Sequence, residues 1–195
     1  MPPGVILYGP PGSGKDTITR ELGRISPDFA LFRRLKAGPG RSSGYRITTV
    51  GEIDRLSDSG ALLYRNARYG AEYAIDRPGL TELLINGQVP VLHMGQMAGV
   101  SALTDFPIEW TKVLLWCPRA VTNERCKGRG DSDLEARLKV WEETREDLLA
   151  HTQSTWTLTI ATDKQVPAEA AQSIFDAVAT GKVVTPQDIA GLVRE

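Results

Sequence analysis

The stretch Gly-Pro-Pro-Gly-Ser-Gly-Lys-Asp-Thr at positions 9–17 constrains this chain more than any other. It follows the apolar run Val5-Ile6-Leu7-Tyr8 and leads into Thr17-Ile18-Thr19-Arg20-Glu21-Leu22, which has helical spacing. Strand, glycine-rich turn and helix N-terminus in that order give a G-x-x-x-x-G-K match its physical meaning. Gly9, Gly12 and Gly14 let the loop curl so that backbone N–H groups, with Pro10, Pro11 and Ser13 between them, cradle phosphate oxygens. The following helix adds its dipole and unpaired N–H groups to the same anion site. Lys15 supplies a positive charge for the outer phosphates, and Thr17 stands where an α-phosphate contact is expected. One position departs from the usual pattern: Asp16 follows the lysine where Ser or Thr is common. A carboxylate is a good ligand for Mg²⁺, directly or through water, so Asp16 is the expected metal residue.

The 195 residues suffice for one domain with a full core. Hydrophobic content of 41% and charged content of 24% are ordinary for a globular protein, and a net charge of −1 gives no basic field for nucleic acid. No apolar run reaches transmembrane length and the N-terminus lacks a signal-peptide pattern, so no membrane partner and a cytoplasmic location are expected. Cys117 and Cys126 form neither a disulfide framework nor a metal-ligand spacing.

Apolar runs near residues 4–8, 29–32, 89–94, 111–116 and 156–160 alternate with helical patterns, which predicts an α/β fold with a mainly parallel sheet. Between them lie short strand patterns at residues 45–50, 61–65 and 71–75, a small helix over 51–57 with Thr49 as cap, and a Gly/Pro/Ser-rich loop over 37–44. These read as a small inserted subdomain. The expected partition is a core of residues 1–30, 76–126 and 134–195, an insertion over about 31–75 and a lid over about 127–133. Ser132 with Glu135 is a capping box that starts a long amphipathic helix to about residue 150. A last helix is expected over 168–178, with a short one after Pro186.

A phosphate loop needs cations around the moving group and a held acceptor before it can transfer phosphate. Two basic groups qualify. Arg125, Arg129 and Arg137 flank the short charged turn at the expected lid, where arginines close on a triphosphate and exclude water. Arg33, Arg34, Lys36 and Arg41 lie in the insertion with Tyr45 and Tyr73, a mixture suited to a phosphate already on the acceptor. His93, at the C-terminal end of a core strand, is either a general base or a packed strand residue.

The order of these parts over residues 4–178 resembles the guanylate-kinase branch of P-loop kinases. Gly44-Tyr45-Arg46-Ile47-Thr48-Thr49-Val50-Gly51-Glu52-Ile53 resembles that family's strand and helix after its phosphate-binding loop. Arg129-Gly130-Asp131-Ser132 and Ala136-Arg137-Leu138 resemble its lid. The resemblance implies a three-layer P-loop kinase fold, with ATP and Mg²⁺ as cofactors. It places Arg33, Lys36, Tyr45 and Tyr73 on the acceptor phosphate, and Lys15, Arg125, Arg129 and Arg137 in catalysis. The guanine-reading positions do not match: Tyr64 and Gly95 stand where carboxylates are expected, and Ile75 where a serine is. The Gly-Lys-Asp loop and Gly95 are more similar to the ribose 1,5-bisphosphate phosphokinases. That similarity implies a small phosphorylated acceptor without a base, bound in part by Gly95. A GMP-type nucleoside monophosphate kinase and a non-catalytic nucleotide-binding module on the same scaffold stand as alternatives, and a monomer or homodimer is expected.

Overall fold

Strands separated by helix-length segments cross over into a parallel sheet, because each helix returns the chain to the same end. The computed structural model, which describes residues 1–128, 133–181 and 188–193, has this architecture. The chain opens with β1 (Pro3–Tyr8), α1 (Lys15–Ile25) and β2 (Phe29–Leu31). It then leaves the core for β3 (Leu35–Ala37), β4 (Arg46–Ile47), α2 (Val50–Asp58), β5 (Leu62–Arg68) and β6 (Ala71–Asp76). It returns through α3 (Arg77–Ile85), β7 (Val89–Met94), α4 (Met97–Ser101), β8 (Glu109–Trp116) and α5 (Arg119–Gly128). The last described elements are α6 (Leu134–Ala150), β9 (Leu158–Ala161), α7 (Pro167–Thr180) and α8 (Ile189–Leu192).

The central sheet runs β2-β7-β1-β8-β9, with every pair parallel. Alternation along β1 sends Val5 and Leu7 to the face covered by α1 and α7, against Ile18, Leu22, Ala171 and Ile174. Ile6 and Tyr8 face the opposite layer, with Leu80 of α3 and Trp141 and Leu148 of α6. Both faces are covered, which is why the core strands read as continuous apolar runs. Connections leave β1 toward β2 on one side and β8 toward β9 on the other, so a crevice opens beyond the strands' carboxyl ends.

The insertion forms its own sheet, β4-β3-β6-β5. The β5–β6 hairpin turns on Tyr69 at φ 54 and Gly70 at φ 71, the two left-handed residues that a type I′ connection requires. Leu35, Ala37, Ile53 and Ala74 make a separate small core under α2. The Thr49 hydroxyl caps α2 by accepting the Glu52 N–H at 3.2 Å. The Arg46 guanidinium donates to both carboxylate oxygens of Asp76, while Asp76 Oδ2 also accepts the Gly79 N–H at 3.0 Å. One carboxylate thus caps α3 and ties the insertion to the core.

Four local expectations change. Only Arg46–Ile47 of the 45–50 run is strand, because Thr49 turns the chain and Val50 opens α2. No strand is expected over residues 35–37, yet β3 forms there because Leu35 and Ala37 find apolar partners beneath α2. Asp133 occupies the N-cap position of α6 and makes no side-chain cap; Ser132 lies outside the described residues. Leu31 stays in the central sheet, paired with Val91, so the inserted sheet begins at Leu35. Among the described residues, no helix is long and apolar enough to cross a membrane.

Candidate active site

The loop after β1 curls through Gly12 at φ 77 and Gly14 at φ 86, conformations that side-chain-bearing residues rarely adopt. Gly9 is fixed by space instead: a Cβ there would stand 2.2 Å from the Leu115 carbonyl oxygen. The first helical bond of α1 runs from the Ile18 N–H to Gly14 O at 2.9 Å. The N–H groups of Lys15, Asp16 and Thr17 are therefore the helix's unpaired donors, and they face the crevice end. The Lys15 ammonium folds back over the loop, donating to Gly9 O at 2.6 Å, Pro10 O at 2.9 Å and Ser13 Oγ at 3.2 Å. Burial lowers its pKa to about 8, against an upward pull from Asp16.

α5 braces the loop from behind. The Thr122 hydroxyl donates to Pro11 O at 2.9 Å, and the Arg125 guanidinium donates to Gly12 O at 2.8 Å. Arg125 also donates to Thr162 Oγ1 at 3.1 Å and Thr162 O at 2.7 Å. Arg125 is expected among the catalytic arginines, but it does not line the cleft. The helical phase of α5 turns it toward the outer wall of the loop, which it ties to Thr162.

In front of the loop lies a cleft of about 990 Å³ lined by both the core and the insertion. Asp16 projects into it with its side chain 61% exposed. Its Oδ2 lies 3.5 Å from Arg41 Nη1 and its Oδ1 lies 3.6 Å from His93 Nδ1. His93 Nε2 is 2.7 Å from the Thr19 hydroxyl oxygen. Burial, reinforced by Lys15, lowers the His93 pKa to about 3, so the imidazole is neutral at physiological pH. Thr17 lines the same cleft, as do Gly9, Pro11, Gly12, Ser13 and Gly14. Pro10 contributes its carbonyl to Lys15.

The opposite wall comes from the insertion and from the turn after β7. Tyr45 and Tyr73 pack with ring centroids 5.3 Å apart, and the Arg34 guanidinium sits 5.2 Å above the Tyr73 ring. Tyr64 OH donates to Gln96 Oε1 at 2.9 Å, and Asn66 Nδ2 donates to the same oxygen at 3.0 Å. Asn66 Oδ1 is buried without a partner among the described residues. Gly95 lies in the turn before Gln96, open to the cleft. Asp147 of α6 fixes that turn, accepting the Met97 N–H at 2.6 Å and the Tyr8 hydroxyl at 2.8 Å. Burial and Asp147 together push the Tyr8 phenol upward. Arg137 reaches the cleft from α6, bonded to Asp133 Oδ1 at 2.7 Å and 5.9 Å from the Tyr69 ring.

The expected acceptor cations are placed differently from the sequence reading. Arg33 is exposed and Lys36 is buried, and neither lines the cleft; Arg34 between them does. The parity of an extended chain turns Arg33 away, and its carbonyl accepts from Arg46 Nε at 2.7 Å. The Lys36 side chain starts on the Tyr73 side of β3, but its ammonium donates to Pro39 O at 2.5 Å and Gly38 O at 3.3 Å. Lys36 holds the 37–44 loop. Tyr45, Tyr73, Gly95 and Arg137 line the cleft, and Arg129 lies outside the described residues. Sequence reasoning missed Asn66, Arg68, Gln96 and Asp147. The Arg34–Lys36 spacing carries a period-2 signal that points to Arg34, whereas the other four have no local signature.

A guanylate kinase from Anaplasma phagocytophilum superposes on this chain with a TM-score of 0.65 at 15% identity, covering 94% of this chain and 88% of that one. The fold is the P-loop kinase fold. A shikimate kinase from Acinetobacter baumannii, solved in complex with shikimate, aligns over 94% of this chain and 97% of its own, with a TM-score of 0.47 and 18% identity. No family model matches the chain, and no curated protein does. Within the P-loop kinase fold, the loop after β1 occupies the switch-point crevice and the insertion stands across from it.

Proposed function

We propose that this chain is an ATP- and magnesium-dependent phosphotransferase acting on a small acceptor that already carries phosphate, with ribose 1,5-bisphosphate or a related sugar phosphate as the favoured acceptor. One observation carries the reading: a single cleft has a phosphate loop at one end and an arginine–tyrosine wall at the other. The loop's N–H groups and Lys15 would hold the β- and γ-phosphates, the ammonium exchanging the carbonyls of Gly9 and Pro10 for phosphate oxygens. Arg34, with Tyr45 and Tyr73, would seat the acceptor's phosphate. Arg137 would neutralise charge on the moving group, joined by Arg129. A bound Mg²⁺ supplies charge neutralisation on the outer phosphates, and Asp16 presents an exposed oxygen ligand for it beside the loop.

The polar lining favours a sugar over a guanine. The carboxylates that line the cleft among the described residues are Asp16, beside the loop, and Asp133, on the α6 side. Tyr64, Asn66 and Gln96 offer hydroxyl and amide groups instead. A site built to hydrogen-bond one ligand rejects another that leaves its buried groups unpaired. The enzyme would work in the cytoplasm as a monomer or homodimer, without nucleic acid or membrane.

The test is a coupled assay of ATP consumption with ribose 1,5-bisphosphate, related sugar phosphates and GMP. Turnover with a sugar phosphate and none with GMP is the expected outcome. The reverse preference makes the chain a nucleoside monophosphate kinase. Tight nucleotide binding without turnover on any acceptor makes it a non-catalytic module.

A further inference from the structure

Asp16 and His93 face each other in an arrangement that the phosphate-loop reading alone does not explain. The Thr19 hydroxyl lies 2.9 Å from Lys15 O, one helical turn back, the usual destination of a helical threonine's proton. With that proton committed, the Thr19 oxygen accepts from His93 Nε2–H at 2.7 Å. The tautomer is thereby fixed, and the lone pair of the ring sits on Nδ1. His93 Nδ1 lies 3.6 Å from Asp16 Oδ1. Two acceptors at this separation have no proton to share. They become favourable neighbours when a positive ion lies between them. A ligating histidine ordinarily anchors its other nitrogen by donating to an outer partner, and Thr19 fills that place.

We propose that Asp16 and His93 form the protein's part of a divalent-cation site of mixed oxygen and nitrogen character at the mouth of the phosphate loop. Mg²⁺ favours oxygen ligands in near-octahedral array, whereas an imidazole shifts a site toward later divalent metals. The site therefore takes Mn²⁺ or Co²⁺ more readily than a carboxylate alone would. Arg41, 3.5 Å from Asp16 and also bonded to Ser43 Oγ at 2.8 Å, holds the position that the cation's charge takes over. Lys15 and Arg34 also face the histidine with positive charge. A bare cation consequently binds weakly, and nucleotide phosphates strengthen it by offsetting that charge. The inference rests on the phosphotransferase reading for the nucleotide, but not for the metal.

Pulsed electron paramagnetic resonance of Mn²⁺ on protein labelled with nitrogen-15 histidine tests this, with and without unlabelled ADP. The chain has two histidines, so a His151→Gln variant separates them. The expected result is a histidine nitrogen coupling in wild-type protein that survives His151→Gln and disappears in His93→Gln. Thr19→Val, which removes the outer bond, should weaken Mn²⁺ roughly tenfold or more. Mn²⁺ bound with ADP but without nitrogen coupling in the wild-type protein overturns the site and leaves the phosphotransferase reading standing. Coupling to Mn²⁺ without any ADP binding supports the site and removes that reading. Absence of Mn²⁺ binding under both conditions overturns the site.

Discussion

The phosphate loop and the wall across from it face one cleft but are built on opposite principles. The loop is made of backbone: Gly12 and Gly14 set its curl, and the neighbouring carbonyls hold Lys15 in reserve. The wall is made of side chains drawn from the residue before β3, the loop leading to β4, β5, β6 and the turn after β7. A site made of backbone is written in consecutive residues, because local dihedrals produce it. A site made of side chains depends on sheet register and on which long side chains are captured elsewhere. The difference explains why Arg34 reaches the cleft over the Tyr73 ring while Lys36 is spent on Pro39.

Substitutions can break that contrast. Lys15→Ala should have the largest effect, lowering turnover by roughly 10³-fold or more while the protein stays folded, as read by steady-state kinetics beside a thermal melt. Retained turnover would take the loop out of the chemistry. Next in size, Arg34→Ala should lower kcat/KM for the acceptor by about 10- to 100-fold, as expected for one hydrogen bond to a charged group. Arg33→Ala should stay within about threefold, since that side chain points away from the cleft. An inverted pair of results would move the acceptor clamp to the other face of the strand.

Arg125→Met sharpens the comparison from behind the loop. Leaving Gly12 O and Thr162 O without their donor should cost about 1–3 kcal/mol, seen as a fall of several degrees in Tm. Nucleotide affinity should weaken with it, while the acceptor KM stays unchanged.

The smallest effect is one of pH. Folded Lys15 loses its proton near pH 8, whereas the unfolded chain keeps it until about 10.5. Between those values the unfolded state binds more protons, so the stability of the free protein gains a contribution as pH rises. Phosphate favours the charged ammonium. Nucleotide affinity should therefore be level below pH 8 and fall above it, with proton uptake visible by calorimetry in buffers of different ionisation enthalpy. Lys15→Met should abolish both trends.

Much of the fold was legible because the core strands are buried on both faces and the helices between them keep their apolar spacing. The insertion was legible as a cluster of short strands, and Thr49 announced α2 correctly. β3 was hidden because Leu35 and Ala37 sit among basic residues, and their burial depends on α2 and β6. Asp147 was hidden for a different reason. Its partners Tyr8 and Met97 lie 139 and 50 residues away, and no local pattern distinguishes it from the solvated acids of α6.

By itself, the sequence determined the phosphate loop, its lysine, the unusual carboxylate at Asp16 and the parallel α/β layout. All of these follow from glycine conformations, helix starts and apolar period, which act over a few neighbouring residues. Tertiary structure decided which cation faces the cleft, that Arg125 supports the loop from outside, and that His93 comes within 3.6 Å of Asp16. Those outcomes depend on strand parity, on competing backbone carbonyls and on Thr19 meeting His93 from the neighbouring helix. They exist only once distant segments are brought within hydrogen-bonding distance.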